Sequence, residues 1–314
     1  MMVRTDLALE AREMIDEKRS RKMEDTGKLP EGMTVETRDG DHILVTRIVI
    51  SSDDAAQTIG KKKGTYVTIE LKNVELNTLE IHREVACAVR DEVGRYLNKI
   101  YRKMPSVMIA GLGNRFVTPD ALGPKVVENI VVSRHVRVNE QLSSEVDQRL
   151  GEVCAFAPGV LGVTGVETGE IIQGIVDKIK PDILLAVDAL ASRKTSRINT
   201  TVQISDTGIV PGSGIGNRRM ELSEETLGIP VVAIGVPTVV DAMTMAKDLI
   251  ENATGQELDE QFAEGISRTC GADTIVTPKN IDIAIERMAQ AISNGLNMAV
   301  HKGFDFNDVS DYLM

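Results

Sequence analysis

The carboxyl-terminal two thirds of the sequence alternate between short apolar runs and amphipathic segments, and this alternation limits the fold more than any other feature. Apolar and β-branched runs predict strands at 106–112, 152–157, 182–188, 199–205 and 230–236. Helical spacing of apolar residues predicts helices between or after most of them, near 121–133, 168–179, 238–253 and 280–300. Strands that alternate with helices favour a mainly parallel sheet with helices on both faces. The sequence therefore predicts an α/β fold.

The amino-terminal third predicts additions to this core. Residues 7–22 have roughly helical spacing, and Thr5 and Asp6 are placed to cap that helix. The polar residues 23–40 indicate a connector. Two strands and a long amphipathic helix are predicted next, at 42–51, 65–71 and about 78–103. The lysine run Lys61–Lys63 between the two strands indicates a solvated loop tip.

Composition argues against several function classes. The chain has 314 residues, a formal net charge of −11 and no tryptophan. The negative charge disfavours binding to nucleic acid or to an anionic membrane, since both need a basic face, and we expect neither partner. No run approaches the ~18 apolar residues of a membrane span. The charged amino terminus and three scattered cysteines (Cys87, Cys154 and Cys270) favour a cytoplasmic protein without disulfides or structural zinc.

Two aspartates follow predicted strands at the edge where parallel sheets bind ligands. Asp120 lies in the glycine-rich stretch "GLGNRFVTPDALGP", and Asp188 ends the apolar run "DILLAV". A carboxylate there is costly unless it is paired or used. Two neighbouring carboxylates can share one proton, so that the ionised one activates water and the protonated one donates to a carbonyl group. The pair therefore suits peptide hydrolysis without a metal or a nucleophilic side chain.

Other motifs give weaker signals. Gly111 and Gly113 resemble the start of the glycine-rich fingerprint that binds dinucleotides, but Phe116 stands where that fingerprint needs a third small residue. Neither the P-loop nor the G-x-S-x-G pattern is present. Asp206 belongs to an Asp-Thr-Gly tripeptide like that of pepsin-like proteases, but no second copy exists, and a turn after a strand explains it. The histidines are too scattered for a zinc site.

The sequence resembles the germination protease family of endospore-forming bacteria along nearly its whole length. The resemblance rests on five segments in order: "VRTDLALEA", "GLGNRFVTPDALGP", "DALASR", "SDTGIVPGSGIGNRR" and "GIPVVAIGVPTVVDA". It implies an α/β fold of the phosphorylase/hydrolase-like type, related to that of the hydrogenase maturation proteases. It also implies an endopeptidase that starts the degradation of small acid-soluble spore proteins during germination. It also implies a zymogen, a homotetramer, a location in the spore core and no cofactor.

On matching positions, the resemblance assigns catalysis to Asp120 and Asp188. It places activation cleavage between Asp6 and Leu7, within "TDLALE", which is similar to the acidic-then-apolar sites that the family cuts. The domains implied are a pro-segment at 1–6 and one peptidase domain at 7–314, with amino-terminal additions over about 7–104 and a core over about 105–314.

Cleavage after an acidic residue needs a positive group to receive that side chain. Four arginines of the matching loops are predicted to bind substrate: Arg193, Arg197, Arg218 and Arg219. Surface charge near a loop explains each of them equally well. Two other functions stay open on the residues alone. One is a metal-dependent peptidase of the maturation type that uses the same aspartates, and the other is a nucleotide- or phosphate-binding α/β enzyme.

Overall fold

The structure, a computed structural model, describes residues 6–13, 29–72, 76–139, 141–142, 146–212, 220–255 and 274–313. The strands of these ranges are β1 (Met33–Asp39), β2 (Ile43–Ile50), β3 (Gly64–Leu71), β4 (Ser106–Gly111), β5 (Glu152–Phe156), β6 (Ile183–Ser192), β7 (Thr201–Ser205), β8 (Val231–Asp241) and β9 (Ile275–Val276). The helices are α1 (Asp53–Ile59), α2 (Leu79–Ile100), α3 (Leu122–Glu128), α4 (Arg134–Arg137), α5 (Leu161–Thr164), α6 (Thr168–Ile179), α7 (Glu224–Leu227), α8 (Ala242–Thr254), α9 (Ile281–Val300) and α10 (Phe306–Leu313). Residues 8–13 are also helical.

These nine strands form one sheet in the order β1-β2-β3-β7-β8-β6-β4-β5, and β9 pairs with β8. β5, β4, β6 and β8 run parallel to one another, as predicted. β1, β2, β3 and β7 form an antiparallel wing, and β7 is also antiparallel to β8. The sheet is therefore mixed rather than mainly parallel. Residues 193–200 connect β6 to β7. A crossover between parallel strands needs a dozen or more residues, so this shorter connection turns the chain back.

Helices cover both faces of the sheet, which confirms the predicted α/β class with additional amino-terminal strands. On one face α2, α3 and α9 pack over residues that include Leu185 and Val187 of β6. On the other face Ile172 of α6 packs with Ala186 of β6. Because side chains alternate along a strand, Asp188 belongs to the face of Ala186.

Two amino-terminal elements differ from the sequence expectation. The expected connector at 23–40 contains β1, an exposed edge strand whose polar residues hide its alternation from sequence reasoning. The expected solvated loop contains α1, which begins after the N-cap Ser52 and ends at Gly60 with a left-handed φ of 71°. This helix brings Lys61 back onto the protein, where its Nζ donates to the backbone oxygen of Asp6 at 2.9 Å.

Several expectations fall outside the described residues. They concern most of the proposed pro-segment (1–5), the distal part of the first helix (14–22), and the side chains of Arg218, Arg219 and Cys270. None of the helices in the described ranges combines the length and the apolar character that a membrane span requires.

Candidate active site

The glycine-rich turn after β4 is held tightly against the start of α3. The backbone N–H of Leu112 donates to the oxygen of Val187 at 2.7 Å. A Cβ on Gly123 would lie 2.6 Å from that same oxygen, so glycine is needed for α3 to approach the strand ends. Gly113 has a φ of 107°, and a Cβ there would clash with the backbone oxygen of Asp120. The two glycines therefore fix the turn that carries Asp120.

Asp120 is half-buried at the end of the 3-10 turn Thr118–Asp120. Its Oδ2 accepts a hydrogen bond from the backbone N–H of Asn114 at 2.8 Å, which ties the carboxylate back to the glycine turn. The 3-10 turn lies against β6, β8 and α9. Asp120 thus sits over the end of the parallel strands, as the strand-end argument predicts.

Asp188 lies on β6, and only 5 % of its surface is exposed. Its Oδ1 accepts a hydrogen bond from the N–H of Ala189 at 2.9 Å. The prediction that the strand ends at Asp188 is wrong, because β6 continues to Ser192 by pairing with β8. Pairing with β4, however, stops at Val187, so Asp188 is the first residue of β6 beyond that partner. The structure therefore brings both aspartates to the same end of the parallel strands.

A cavity of about 230 Å³ lies on the face of the sheet that carries Asp188. Leu190, Gly235 and Gln203 contribute to its lining, and Gly235 is the β8 residue that pairs with Asp188. Asp6 of the amino-terminal segment also lines this cavity. The space therefore extends from the neighbourhood of Asp188 to the predicted processing site.

The amino-terminal segment docks onto the last residues of β6. The N–H of Asp6 donates to the oxygen of Ala191 at 3.1 Å, and the N–H of Ala191 donates to Oδ2 of Asp6 at 2.9 Å. The side chain of Leu7 is fully buried. The predicted helix-capping residue Asp6 therefore binds the sheet through its carboxylate, while the N–H of Ala8 at the helix start donates to Oε1 of Gln203 at 2.8 Å.

A buried charge cluster holds the next turn of this segment. Glu10 is fully buried, and its carboxylate accepts from the backbone N–H groups of Arg193 and Lys194 at 2.6 and 3.1 Å. Nη1 of Arg197 lies 3.3 Å from Oε1 of Glu10, and the same guanidinium group binds Glu13. The chain's own acidic residues therefore occupy this basic loop.

The predicted substrate-binding arginines have defined partners where the structure describes them. The guanidinium group of Arg193 binds Asp248 at 2.8 Å, and that of Arg197 also binds Glu70 at 2.9 Å. Burial alone would lower the pKa of Arg197, but the hydrogen bond of Glu13 and the charges of Glu70 and Glu13 raise it above its ordinary value. Arg197 is thus a permanent cation. The structure does not describe Arg218 and Arg219.

Sequence reasoning missed Lys61 and Gln203. Nζ of Lys61 and Nε2 of Gln203 both donate to the backbone oxygen of Asp6, at 2.9 and 3.2 Å. Burial lowers the pKa of Lys61, although the charges of Asp6 and Glu10 oppose that shift. No signal in the sequence separates Lys61 from the next two lysines, because only the docked amino-terminal segment gives it a partner.

Other residues considered in the sequence analysis have defined hydrogen-bond partners in the structure. Oδ1 of Asp206 accepts from the N–H of Thr65 at 2.7 Å, which joins β7 to β3 as a turn residue does. His301 is buried between the N–H of Gly151 and the oxygen of Val131, at 3.0 Å from each. Among the described residues, no group of three or more histidine, cysteine, aspartate or glutamate side chains is arranged to hold a metal ion.

Comparison with known proteins decides the family. A family model described as germination protease matches residues 8–263. The chain belongs to the germination protease family. Membership makes it a peptidase of spore germination and decides against the nucleotide- or phosphate-binding alternative.

Relatives in this germination protease family match over nearly their whole length. The germination protease of Clostridium acetobutylicum is 41 % identical over 334 residues, covering 99 % of each chain. That of Clostridium tetani is 39 % identical and covers 100 % of each chain. That of Bacillus cytotoxicus is 39 % identical, covering 99 % of this chain and 96 % of its own. Among solved structures, the NiFe hydrogenase maturation protease HycI from Thermococcus kodakarensis KOD1 aligns with 64 % of this chain and 98 % of its own, at 20 % identity and a TM-score of 0.33.

Proposed function

We propose that this germination protease is an endopeptidase with paired-aspartate chemistry, made as a zymogen, that cuts between an acidic and an apolar residue. Its substrates are small acid-soluble spore proteins, and it acts in the spore core as a homotetramer. The observation that carries the catalytic part is the docking of Asp6 and Leu7 on β6. Asp6 binds Ala191, three positions after Asp188 on the same strand.

In this mechanism Asp120 and Asp188 share one proton. The ionised carboxylate takes a proton from water as the water oxygen attacks the carbonyl carbon of the acidic residue. The protonated carboxyl group donates to the carbonyl oxygen, which gives a neutral tetrahedral diol. That diol collapses when its C–N bond breaks: the newly protonated carboxyl group gives its proton to the departing amine, and the other, now ionised carboxylate takes a proton from a diol hydroxyl group, which restores the shared proton of the pair. No covalent enzyme intermediate is needed.

The docked segment supports the proposed preference for acidic and then apolar residues. The carboxylate of Asp6 meets the N–H of Ala191, and Leu7 lies in a fully buried position. Arg193, through its backbone N–H, and Arg197, through its guanidinium group, then bind an acidic residue of the substrate at the fourth position after the cut bond. Glu10 occupies that position in this chain. Arg218 and Arg219 stay proposed contacts of the acidic residue that precedes the cut bond.

Activation follows from the same contacts. Cleavage between Asp6 and Leu7 removes residues 1–6 as the pro-segment and leaves a chain that begins at Leu7. The same bond is thus the first substrate of the paired aspartates. Asp6 leaves β6 together with the rest of the pro-segment. The cavity that Asp6 lines then becomes open to a peptide from another protein.

A peptide assay tests this function. The processed protein is incubated with a peptide of sequence RTDLALEA, and the products are identified by mass, with and without a chelator. We expect cleavage after the aspartate that survives chelation and is absent in Asp120→Asn and Asp188→Asn. Asp206→Asn is the matched control, because Asp206 accepts a hydrogen bond from Thr65 and lines a different cavity, and this variant should cleave normally. Cleavage that a chelator stops and added metal restores would replace the paired-aspartate chemistry by the metal-dependent alternative.

A further inference from the structure

The backbone carbonyl oxygen of Asp6 has two side-chain donors from different parts of the fold. Nζ of Lys61 reaches it from the end of α1 at 2.9 Å, and Nε2 of Gln203 reaches it from β7 at 3.2 Å. Both residues line the cavity that Leu190 of β6 and Gly235 of β8 also line. This oxygen belongs to the peptide bond between Asp6 and Leu7, which is the bond proposed to be cut.

The two donors are held in place before any reaction. The side chain of Gln203 is fixed at both ends, because its Oε1 accepts from Ala8 while its Nε2 donates to Asp6. Lys61 is confined by burial, which lowers the pKa of its ammonium group, while the carboxylates of Asp6 and Glu10 favour the charged form. The neighbouring lysines differ, since Lys62 pairs with Glu221 and Lys63 with Asp53 at exposed positions.

Two fixed donors on a reacting carbonyl oxygen form the arrangement known as an oxyanion hole. When water attacks the carbonyl carbon, the π electrons of the C=O bond move to the oxygen, and negative charge develops there. A cationic donor and an amide donor at hydrogen-bond distance bind that charge more strongly than they bind the ground-state carbonyl group. Such donors lower the barrier without giving up a proton.

We propose that Lys61 and Gln203 are catalytic residues that stabilise the negative charge developing on the carbonyl oxygen of the residue that precedes the cut bond, before the protonated carboxyl group completes its proton transfer to that oxygen. This inference rests on the proposed function, since it takes the Asp6–Leu7 bond as the first substrate. It adds two residues to the aspartate pair and gives the first lysine of the 61–63 run a role that the other two lack.

The test follows processing of the full-length chain as a first-order reaction, by intact mass and by sequencing of the new amino terminus at Leu7. Lys61→Met should slow this step by about 10²–10³-fold, the usual effect of removing an oxyanion donor. Lys61→Arg restores a cationic donor and should recover most of the rate. Lys63→Met is the matched control on the same loop and should process like the wild type. Processing of Lys61→Met within threefold of the wild-type rate would overturn the proposal.

A second comparison separates catalysis from recognition of the Asp6 carboxylate. In an Asp6→Ala background the carboxylate is absent but the backbone carbonyl group stays. If Lys61 acts on the carbonyl oxygen, Lys61→Met slows processing by the same factor in both backgrounds. If the effect of Lys61→Met disappears with the carboxylate, Lys61 recognises that side chain, and the oxyanion role is wrong.

The aspartate variants distinguish failure of this inference from failure of the proposed function. Rapid processing in Lys61→Met together with none in Asp188→Asn rejects the oxyanion role and leaves the aspartate pair standing. Rapid processing in Asp120→Asn or Asp188→Asn rejects the aspartate pair whatever Lys61 does. A wild-type chain that never exposes Leu7 rejects the processing step, and the inference with it. Thermal unfolding midpoints of all variants identify any that lose activity because they fail to fold.

Discussion

The carboxylate of Asp6 accepts a hydrogen bond from the backbone N–H of Ala191 at 2.9 Å, and the N–H of Asp6 donates to the oxygen of Ala191 at 3.1 Å. One residue of β6 thus binds both the main chain and the side chain of the residue before the proposed cut. After the proposed activation, a substrate peptide can form the same contacts. These contacts would account for the proposed acidic preference without a dedicated basic pocket, because a backbone N–H group donates a strong hydrogen bond to a carboxylate.

Removal of the buried Glu10 charge should loosen the amino-terminal segment. In Glu10→Gln the N–H groups of Arg193 and Lys194 share a neutral amide instead of a carboxylate, and Arg197 loses one of its anionic partners. We expect a loss of about 1–3 kcal/mol in the free energy of unfolding. Urea unfolding measures this change. Glu36→Gln, on the exposed edge strand β1, is the control and should stay within about 0.5 kcal/mol of the wild type.

Gly113 should be sensitive to substitution, whereas Gly94 should not. Gly113→Ala places a Cβ against the backbone oxygen of Asp120 at a φ of 107°, so it should both destabilise the protein and displace the Asp120 turn. We expect processing to slow by at least about tenfold, the size of effect produced by small misplacements of catalytic groups. Gly94→Ala, inside α2 with open space around its added Cβ, should stabilise the protein by about 0.5–1 kcal/mol. Equal behaviour of the two variants would contradict the role assigned to the turn.

His301 should make stability depend on pH. Burial lowers its pKa from 6.5 to about 4, although the oxygen of Val131 opposes the shift. The folded protein keeps this imidazole neutral, so the unfolded state binds the additional proton as the pH falls below 6.5. The free energy of unfolding should therefore decrease between pH 6.5 and pH 4, by up to roughly 3 kcal/mol from this residue.

The measurement for His301 is urea unfolding at pH 7 and at pH 4.5. His301→Asn should lose stability at pH 7, because two buried partners lose the imidazole, but it should lose less on acidification than the wild type does. His135→Asn, at an exposed position, should follow the wild-type pH dependence. An identical acid response in all three proteins would show that His301 does not cause the pH dependence.

The sequence allows the end of the sheet with the two aspartates to be predicted, because parallel strands place their carboxyl ends at one edge. It does not allow the true end of β6 to be predicted. Apolar patterning cannot tell that β6 continues past Asp188 to Ser192 by pairing with β8. The edge strand β1 is missed for a related reason, since its polar residues carry little burial signal.

The contacts of the amino-terminal segment are even harder to predict from the sequence. Gln203 and Ala8 are almost two hundred positions apart, and only the tertiary fold joins them. Lys61 looks like one of three equivalent lysines until α1 turns it toward Asp6. Arg197 looks like a loop cation until Glu10, Glu13 and Glu70 surround it. Local sequence patterns indicate periodicity and turns, whereas the roles of these residues depend on contacts with segments that are distant in the sequence.

The most direct test of the central claim is the processing rate of the full-length Asp120→Asn and Asp188→Asn variants. Each substitution keeps the size of the side chain and removes its ability to hold and pass a proton. We expect the rate at which Leu7 appears as the new amino terminus to fall at least about 10³-fold in each, with the unfolding midpoint preserved. Asp206→Asn should process at the wild-type rate. Processing of either Asp120→Asn or Asp188→Asn within tenfold of the wild-type rate would contradict paired-aspartate catalysis.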